Sequence, residues 1–275
     1  MTDLSKTALG RATGIVLSCV AVLAAVVGVY QAIHSPLFTV QVVEVTEAHP
    51  VAAPDSPDAA VPWSPVDPQT ITDLAAVPVG QANLFDLDLK GVEKRILSND
   101  WIREVHLQKR FPQTLSITAV FRKPKAVIEL DTGSLAYVDE GGKVFGQLNL
   151  SGPKDLPLIT GVEAEDQGRL QAVIQLLDEW QAQRVSKFAR IESMTDDSNR
   201  GYRLLVSYPA GSSKSLFHSW VDLGDGPGND KNERYSVALA DLARVFGYLH
   251  AHSIAARQIW ADAGKKIVVK TAHGS

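Results

Sequence analysis

The chain has 275 residues, a 45% hydrophobic composition and a formal net charge of -4. This length is sufficient for two modest domains, each with its own hydrophobic core. Binding to nucleic-acid phosphates needs clustered Lys and Arg, and the sequence has no strong basic run, so composition argues against a nucleic-acid partner. Cys19 is the single cysteine, which excludes disulfide bonds within the chain.

An apolar run near the N-terminus predicts a membrane anchor. Residues 12–33 contain no Asp, Glu, Lys or Arg, over about the length of a helix that crosses a bilayer. Lys6 and Arg11 precede the run and the next charged residue is Glu44. The positive-inside tendency therefore predicts a cytoplasmic tail at 1–11, a transmembrane helix at 12–33, and a periplasmic remainder.

Two other N-terminal signals compete with this anchor. A cleaved signal peptide has an apolar core of only ~7–15 residues, shorter than this run, and no clean small-x-small cleavage site follows. A lipid anchor would use a juxtamembrane cysteine, whereas Cys19 lies inside the apolar run. The residues favour a single-pass membrane protein with a cytoplasmic N-terminus.

Residues 34–122 predict the order strand, helix, helix, strand, strand. The first strand is expected at 38–45, and a Pro-rich insertion follows at 50–68. Asp67 is placed to cap a short helix that begins at Pro68, and a second helix is expected over about 89–98. Alternating apolar residues on both sides of a turn at Phe111 then predict a half-buried hairpin. This element order resembles a POTRA domain.

Residues 123–275 have a different pattern of short strands and two amphipathic helices. Strands are expected near 126–130, 135–138, 144–147, 190–194, 202–208, 216–223 and 266–271. One helix, over about 168–183, should bury Leu170 and Trp180, and a later one should bury a stripe from Val237 to Leu249. The whole chain is therefore predicted as α+β: a transmembrane helix, a POTRA domain, and a C-terminal antiparallel sheet domain with packed helices.

The sequence predicts no catalytic, metal or cofactor site. The acidic stretch 222–233 has the length of an EF-hand loop but has Pro227 at the obligatory glycine position. His250 and His252 are two residues apart on a helix and cannot grip one zinc together. His218 and Ser219 are adjacent in a strand, so their side chains should point to opposite faces. No dinucleotide-binding or phosphate-binding glycine loop occurs.

Short motifs through the middle of the chain carry a family resemblance. They lie at 83–85, 87–88, 101–102, Val105, 110–112, 114–115, Ile117, Arg122, Pro124, Ala126, 137–139, 142–145 and 156–161. Together with the element order, they make the chain similar to the FtsQ/DivIB family of bacterial division proteins. Near the C-terminus the family pattern D-x-R-Y-x-x-G is reduced at 258–264 to its glycine.

The resemblance implies a non-enzymatic divisome scaffold at the septum. Its expected partners are the FtsB–FtsL complex, the septal synthase FtsW–FtsI and other division proteins, with no cofactor and no small-molecule substrate. Two alternatives remain open at this point: a POTRA-containing component of outer-membrane assembly or secretion, and an anchored periplasmic enzyme. The first should show several POTRA repeats or a lipid-facing barrel pattern, and the second a catalytic constellation.

The last predicted strand provides a candidate partner-binding surface. Its residues alternate, so that one face should meet the core and the other should face water. The candidate residues are Trp260, Lys266, Ile267, Val268, Val269 and Lys270. If this strand is a sheet edge, a partner strand could add to it, with the lysines facing acidic partner residues. Alternatively, the lysines only protect an exposed edge from aggregation, and partners bind the preceding helix at 235–250.

The Pro-rich insertion yields a first prediction. Its proline density leaves few backbone donors and little apolar surface to bury, so folding should not depend on it. Deleting residues 54–62 should change the free energy of unfolding by less than ~1 kcal/mol, as measured by chemical denaturation. A loss of several kcal/mol would show that the segment is packed against a core.

Overall fold

The computed structural model describes residues 3–47, 65–148, 152–153, 155–197, 200–209, 216–224, 231–261 and 267–272. Contacts divide the chain into two compact units. The first comprises Met1–Pro50 and Val66–Phe121, and the second comprises Val51–Pro65 and Arg122–Ser275. Most of the Pro-rich insertion lies outside the described residues.

The first unit has the predicted POTRA order. Its elements are α1 (Asp3–Ile33), β1 (Val42–Glu47), α2 (Pro68–Ala75), α3 (Leu89–Ile96), β2 (Ile102–Arg110) and β3 (Thr114–Phe121). The three strands form a sheet in the order β1-β3-β2, with β1 parallel to β3 and β2 antiparallel to it. The apolar faces of α2, α3 and the hairpin are buried, as their spacing predicts.

The start of the first strand differs from its prediction. Pro36–Phe38 form a 3₁₀ turn, and β1 begins only at Val42. Ser35 caps this turn, because its hydroxyl accepts a hydrogen bond from the Leu37 amide, and Pro36 supplies the fixed φ that suits a first helical position. By contrast, the predicted Asp67 cap is confirmed: its carboxylate accepts from the Gln69 amide.

The N-terminal helix α1 covers the apolar run of the sequence. Many of its described side chains are exposed, among them Leu17, Leu23 and Val29. Within the part of the chain that the structure describes, no helix meets both the length and the apolarity needed for a membrane span. The transmembrane helix at 12–33 is therefore not confirmed by the structure.

The second unit contains nine strands and two long helices among its described residues. They are β4 (Pro124–Glu129), β5 (Leu135–Asp139), β6 (Val144–Phe145), β7 (Leu158–Thr160), α4 (Gln167–Ala182), β8 (Arg190–Asp197), β9 (Gly201–Pro209), β10 (Leu216–Gly224), α5 (Lys231–Ala251), β11 (Ala256–Trp260) and β12 (Val268–Thr271). One sheet holds all nine strands, in the order β12-β11-β10-β9-β8-β7-β4-β5-β6.

The sheet is mixed, and the prediction of an antiparallel sheet is wrong in this respect. β7 is parallel to both β4 and β8, and β10 is parallel to β11. Two of these pairs are joined through a helix, β7 to β8 by α4 and β10 to β11 by α5. A helical crossover returns the chain to the same end of the sheet, so the next strand runs parallel. The remaining strand pairs are antiparallel.

The two helices and the inner face of the sheet share one apolar core. On α4, the predicted stripe including Leu170 and Trp180 is buried, and the Trp180 indole donates to the Ala189 carbonyl. On α5, Phe246 and Leu249 are buried as predicted, but Val237 is exposed. The buried stripe on α5 instead runs through Leu239, and a residue two positions earlier points away from it.

The turn at 139–142, between the strands expected at 135–138 and 144–147, depends on a glycine. Gly142 has φ +76°, and a Cβ there would lie 2.5 Å from the Gln171 backbone nitrogen on α4. Gly133 in the neighbouring hairpin has almost the same φ, +77°, but a Cβ there would meet nothing within 4 Å. Backbone strain would therefore arise from a side chain at either position, whereas a steric clash would arise only at Gly142.

We predict that Gly142→Ala destabilises the second unit more than Gly133→Ala does. Gly133→Ala should cost about 1–2 kcal/mol, since it adds only the strain of a left-handed alanine. Gly142→Ala should cost about 1–3 kcal/mol more, because α4 must also shift. Urea denaturation of the two variants measures the difference, and equal losses would refute a close approach of α4 to the turn.

Candidate partner-binding edge

The last strand of the chain is an edge strand. Among the described residues β12 pairs with β11 alone, runs antiparallel to it, and is the terminal strand in the sheet order. The edge position that the sequence analysis required of this strand is therefore present. It results from the crossover through α5, which places β11 beside β10 and leaves the outer side of β11 open to the final strand.

The side chains of this segment alternate as the sequence predicts. Ile267 and Val269 pack against the core of the second unit. Val268 is 55% exposed, and Lys270 is also exposed. Lys266 lies outside the described residues. The structure thus brings four of the six candidate residues together on one strand segment, with the fifth, Trp260, on the neighbouring strand.

The direction of the backbone groups in β12 follows from two hydrogen bonds. The Ala272 amide donates to the Ala255 carbonyl across the β11–β12 pair, and the Ala261 amide donates to the Asp222 carbonyl on the β10 side. Successive residues of a strand direct their N–H and C=O groups to alternate sides. Val268 and Lys270 therefore bond towards β11.

The backbone groups of Val269 and Thr271 consequently point outwards from the sheet. These are the groups that a further strand would bond, since β12 has no neighbour on that side among the described residues. The side chains that would flank an added strand on the outer face of the sheet are those of Val268 and Lys270, which are exposed.

Two rows of side chains cross the outer face next to this edge. Registered strand pairs place directly opposite residues on the same face. One row is Arg203, Asp222, Trp260 and Val268, and the other is Leu205, Trp220, Gln258 and Lys270. Trp260, 37% exposed, therefore stands beside Val268, and the pair forms an exposed apolar end to the first row.

Polar contacts hold the middle of these rows. The Arg203 guanidinium carbon lies 4.5 Å from the centre of the Trp220 ring, and its Nε is 3.3 Å from Asp222 Oδ1. Gln258 donates to the other Asp222 oxygen at 2.7 Å. The Arg203 cation over the Trp220 ring and the charge-assisted hydrogen bond from Gln258 to Asp222 both stabilise a fixed side-chain arrangement. Asp222 thus links β9, β10 and β11 beside the edge.

Sequence reasoning did not include Arg203, Leu205, Trp220 or Gln258 in the surface. Alternation alone would have assigned Trp220 to the face opposite the buried Val221. Their proximity to Trp260 depends on the parallel pairing of β10 with β11, which the sequence analysis did not predict. These residues were therefore missed because the order of the strands in the sheet could not be predicted from the sequence.

The structure does not bring together the serine and histidine residues that the sequence analysis considered for a catalytic or metal site. Ser219 is fully buried and donates to the Ala256 carbonyl, while His218 is exposed on the opposite face, as predicted. His250 and His252 contact the carbonyls of Pro209 and Tyr248, respectively. Across the described ranges no three His, Cys, Asp or Glu side chains are grouped to hold a metal ion.

Two family models match separate parts of the chain. Residues 65–120 match the POTRA domain, FtsQ-type, and residues 126–211 match the C-terminal model of the cell division protein FtsQ/DivIB. The candidate edge lies beyond residue 211, outside both matches. Its assignment therefore depends on the geometry above.

Two curated relatives extend the similarity to most of the chain. The cell division protein FtsQ of Geotalea daltonii is 31% identical over 210 residues, which are 74% of this chain and 70% of that protein. The cell division protein FtsQ of Geobacter sp. (strain M21) is 32% identical over 221 residues, 76% of this chain and 73% of that protein. With its POTRA fold and both family matches, the chain belongs to the FtsQ/DivIB family of bacterial cell division proteins.

Proposed function

We propose that this chain is a non-enzymatic scaffold of the division machinery that binds the FtsB–FtsL complex by adding a partner strand to β12. The observation that carries the proposal is the open edge, with the backbone groups of Val269 and Thr271 directed outwards. Strand addition supplies affinity through main-chain bonds and specificity through the flanking side chains. Through this contact the scaffold would link early division proteins to the septal synthase FtsW–FtsI.

The side chains beside the edge suit such a partner. Trp260 and Val268 offer exposed apolar area that an amphipathic partner segment could cover. Lys270 carries positive charge that could meet acidic partner residues, and the sequence has a second lysine, Lys266, four residues earlier. If the lysines only protect the edge, their substitution would change aggregation and leave partner binding intact.

We further propose that α1 anchors the chain in the inner membrane at the septum, with residues 34–275 in the periplasm. Lys6 and Arg11 precede the uncharged run, and the described side chains of α1 expose Leu and Val around the helix. A component of outer-membrane assembly is not favoured, because both matching models describe FtsQ-type domains.

The edge is tested by a pair of substitutions at one position. Val269→Pro removes an outward amide, and an edge strand tolerates proline where its N–H faces away from the sheet. Val269→Ala keeps the amide and loses a similar amount of side-chain packing. We expect both variants to fold by circular dichroism, but only Val269→Pro to lose FtsB–FtsL in a pull-down from cells that make both proteins.

A proline at Val268 would be a less selective test, because its amide is directed towards β11 and supports the strand itself. Retention of FtsB–FtsL by folded Val269→Pro would refute strand addition at β12 and direct attention to the exposed face of α5. An equal loss of FtsB–FtsL from both variants would show that the loss comes from the changed Val269 side chain or from lower local stability, and not from the missing amide.

The topology is tested by a reporter that is active only in the periplasm, fused after Ser275. We expect activity, because the charges at Lys6 and Arg11 retain the N-terminus in the cytoplasm. Moving both positive charges to the C-terminal side of the run should lower the reporter signal. An inactive fusion that is expressed at the normal level would contradict a periplasmic location.

A further inference from the structure

Three aromatic side chains from three separate segments meet in the first unit where α1 ends. The aromatic patch is defined as Phe38, Phe85 and Phe111 together with Leu37, which precedes Phe38 in the sequence. The Phe38 ring centre lies 5.0 Å from that of Phe85 and 6.1 Å from that of Phe111, and Phe85 and Phe111 are 4.7 Å apart. Phe111 is at the turn between β2 and β3, so the patch includes the tip of the hairpin.

The patch is exposed although it is apolar. Leu37 is 66% exposed, Phe111 52% and Phe85 42%. Their mutual contacts orient the rings but leave much of each ring in contact with solvent. Contiguous exposed apolar area of this kind marks a surface that is covered by another protein or by lipid.

Two contacts fix the patch to the end of α1. The Asn83 side-chain amide donates to the Ile33 carbonyl at 2.8 Å, and His34 Nε2 lies 3.4 Å from Asp86 Oδ2. Asn83 also accepts a hydrogen bond from the Phe85 amide at 2.9 Å. The segment that carries Phe85 is therefore held beside the last turn of α1 and does not hang freely from it.

The last turn of α1 continues the aromatic surface. Tyr30 is exposed and stacks on His34, with ring centres 4.1 Å apart. Amphipathic aromatic side chains are enriched where a membrane helix meets the headgroups. At the hairpin tip, Lys109 donates to the Phe85 carbonyl and Arg110 pairs with Glu44, which places cationic groups next to the apolar side chains.

We propose that the aromatic patch is a lipid contact, through which the POTRA unit rests on the headgroup region of the bilayer that α1 anchors. The proposal depends on the proposed membrane anchor. Lipid is the occupant that the geometry favours, because the patch adjoins the end of α1, whose exposed Leu and Val side chains lead directly to it. Apolar side chains flanked by Lys and Arg are the composition of interfacial membrane contacts.

The contact would orient the unit. The hairpin tip would face the membrane, while β2 leads away from it over nine residues, about 30 Å at the rise of an extended strand. Leu97, which follows α3 at the far end of β2, is 39% exposed and would stay in water. A unit that turned freely at the end of α1 would show no such difference between its two ends.

The test uses the full chain in vesicles of phosphatidylethanolamine and phosphatidylglycerol. In a Cys19→Ser background, single cysteines replace Phe111 or Leu97 and carry the same environment-sensitive fluorophore. Nitroxide lipids with the spin label near the headgroup then act as quenchers. We expect the probe at 111 to lose most of its emission and the probe at 97 to keep nearly all of it. Adding Phe85→Ser should restore much of the emission at 111 while flotation with the vesicles is unchanged.

Each outcome decides between the two proposals. A chain that floats with the vesicles but shows equal quenching at 111 and 97 overturns the lipid contact and leaves the anchor standing. Quenching at 111 that does not change with Phe85→Ser assigns proximity to the tether alone, and it also overturns the contact. A folded chain that fails to float overturns the anchor and the contact together.

Discussion

The backbone N–H and C=O groups on the outer side of an edge strand must bond either to water or to another chain. In the second unit this constraint applies to β12, the terminal strand of the sheet. The crossover through α5 sets β11 parallel to β10, and β12 then pairs with the outer side of β11 as the terminal strand of the sheet. Ile259 and Val269 stand opposite each other across the last pair and direct their side chains towards the core. Burial of one face thus fixes the register, since a slip of one residue would expose Val269 and bury Lys270.

The outer face beside the edge is organised by one carboxylate. Asp222 contacts Arg203 and Gln258, and the Arg203 guanidinium covers Trp220. The polar network occupies β9 to β11, while the exposed apolar pair of Trp260 and Val268 lies at the outer end of the row. A partner strand would therefore meet apolar side chains at the edge and a fixed, partly charged surface behind them.

The sequence predicted local structure well, because local structure depends on spacing. The hairpin, the stripe on α4 and the alternation in β12 follow from periods of 3.6 or 2, and the Asp67 cap follows from an acceptor side chain placed directly before Pro68. Several residues of the family resemblance support a turn. Asp139 accepts hydrogen bonds from the amides of Gly141 and Lys143 and pairs with Arg122 at 2.7 Å.

The order of the strands and the contacts between distant segments were harder to predict from the sequence. Whether two strands pair in parallel depends on the end of the sheet to which the connecting helix returns the chain. The periodicity of the residues does not predict this. The aromatic patch combines residues from 37 to 111, which become neighbours only once β1 has paired with β3. The sequence predicted strand addition only if the last strand is a sheet edge, and β12 is at the end of the sheet. The partner of β12 stays a proposal.

The exposed side chains and the charge at the edge fit the proposed contact with an acidic partner strand. Exposed Trp260 and Val268 beside open backbone groups would favour pairing between copies of the chain, which natural sheets oppose with lysine and with short edge strands. β12 has only four residues, and Lys270 stands on its exposed face. A second copy would bring another lysine to this edge, whereas an acidic partner strand would bring the opposite charge. In the proposed contact, the same charge that disfavours self-pairing would therefore select for a partner of complementary sign.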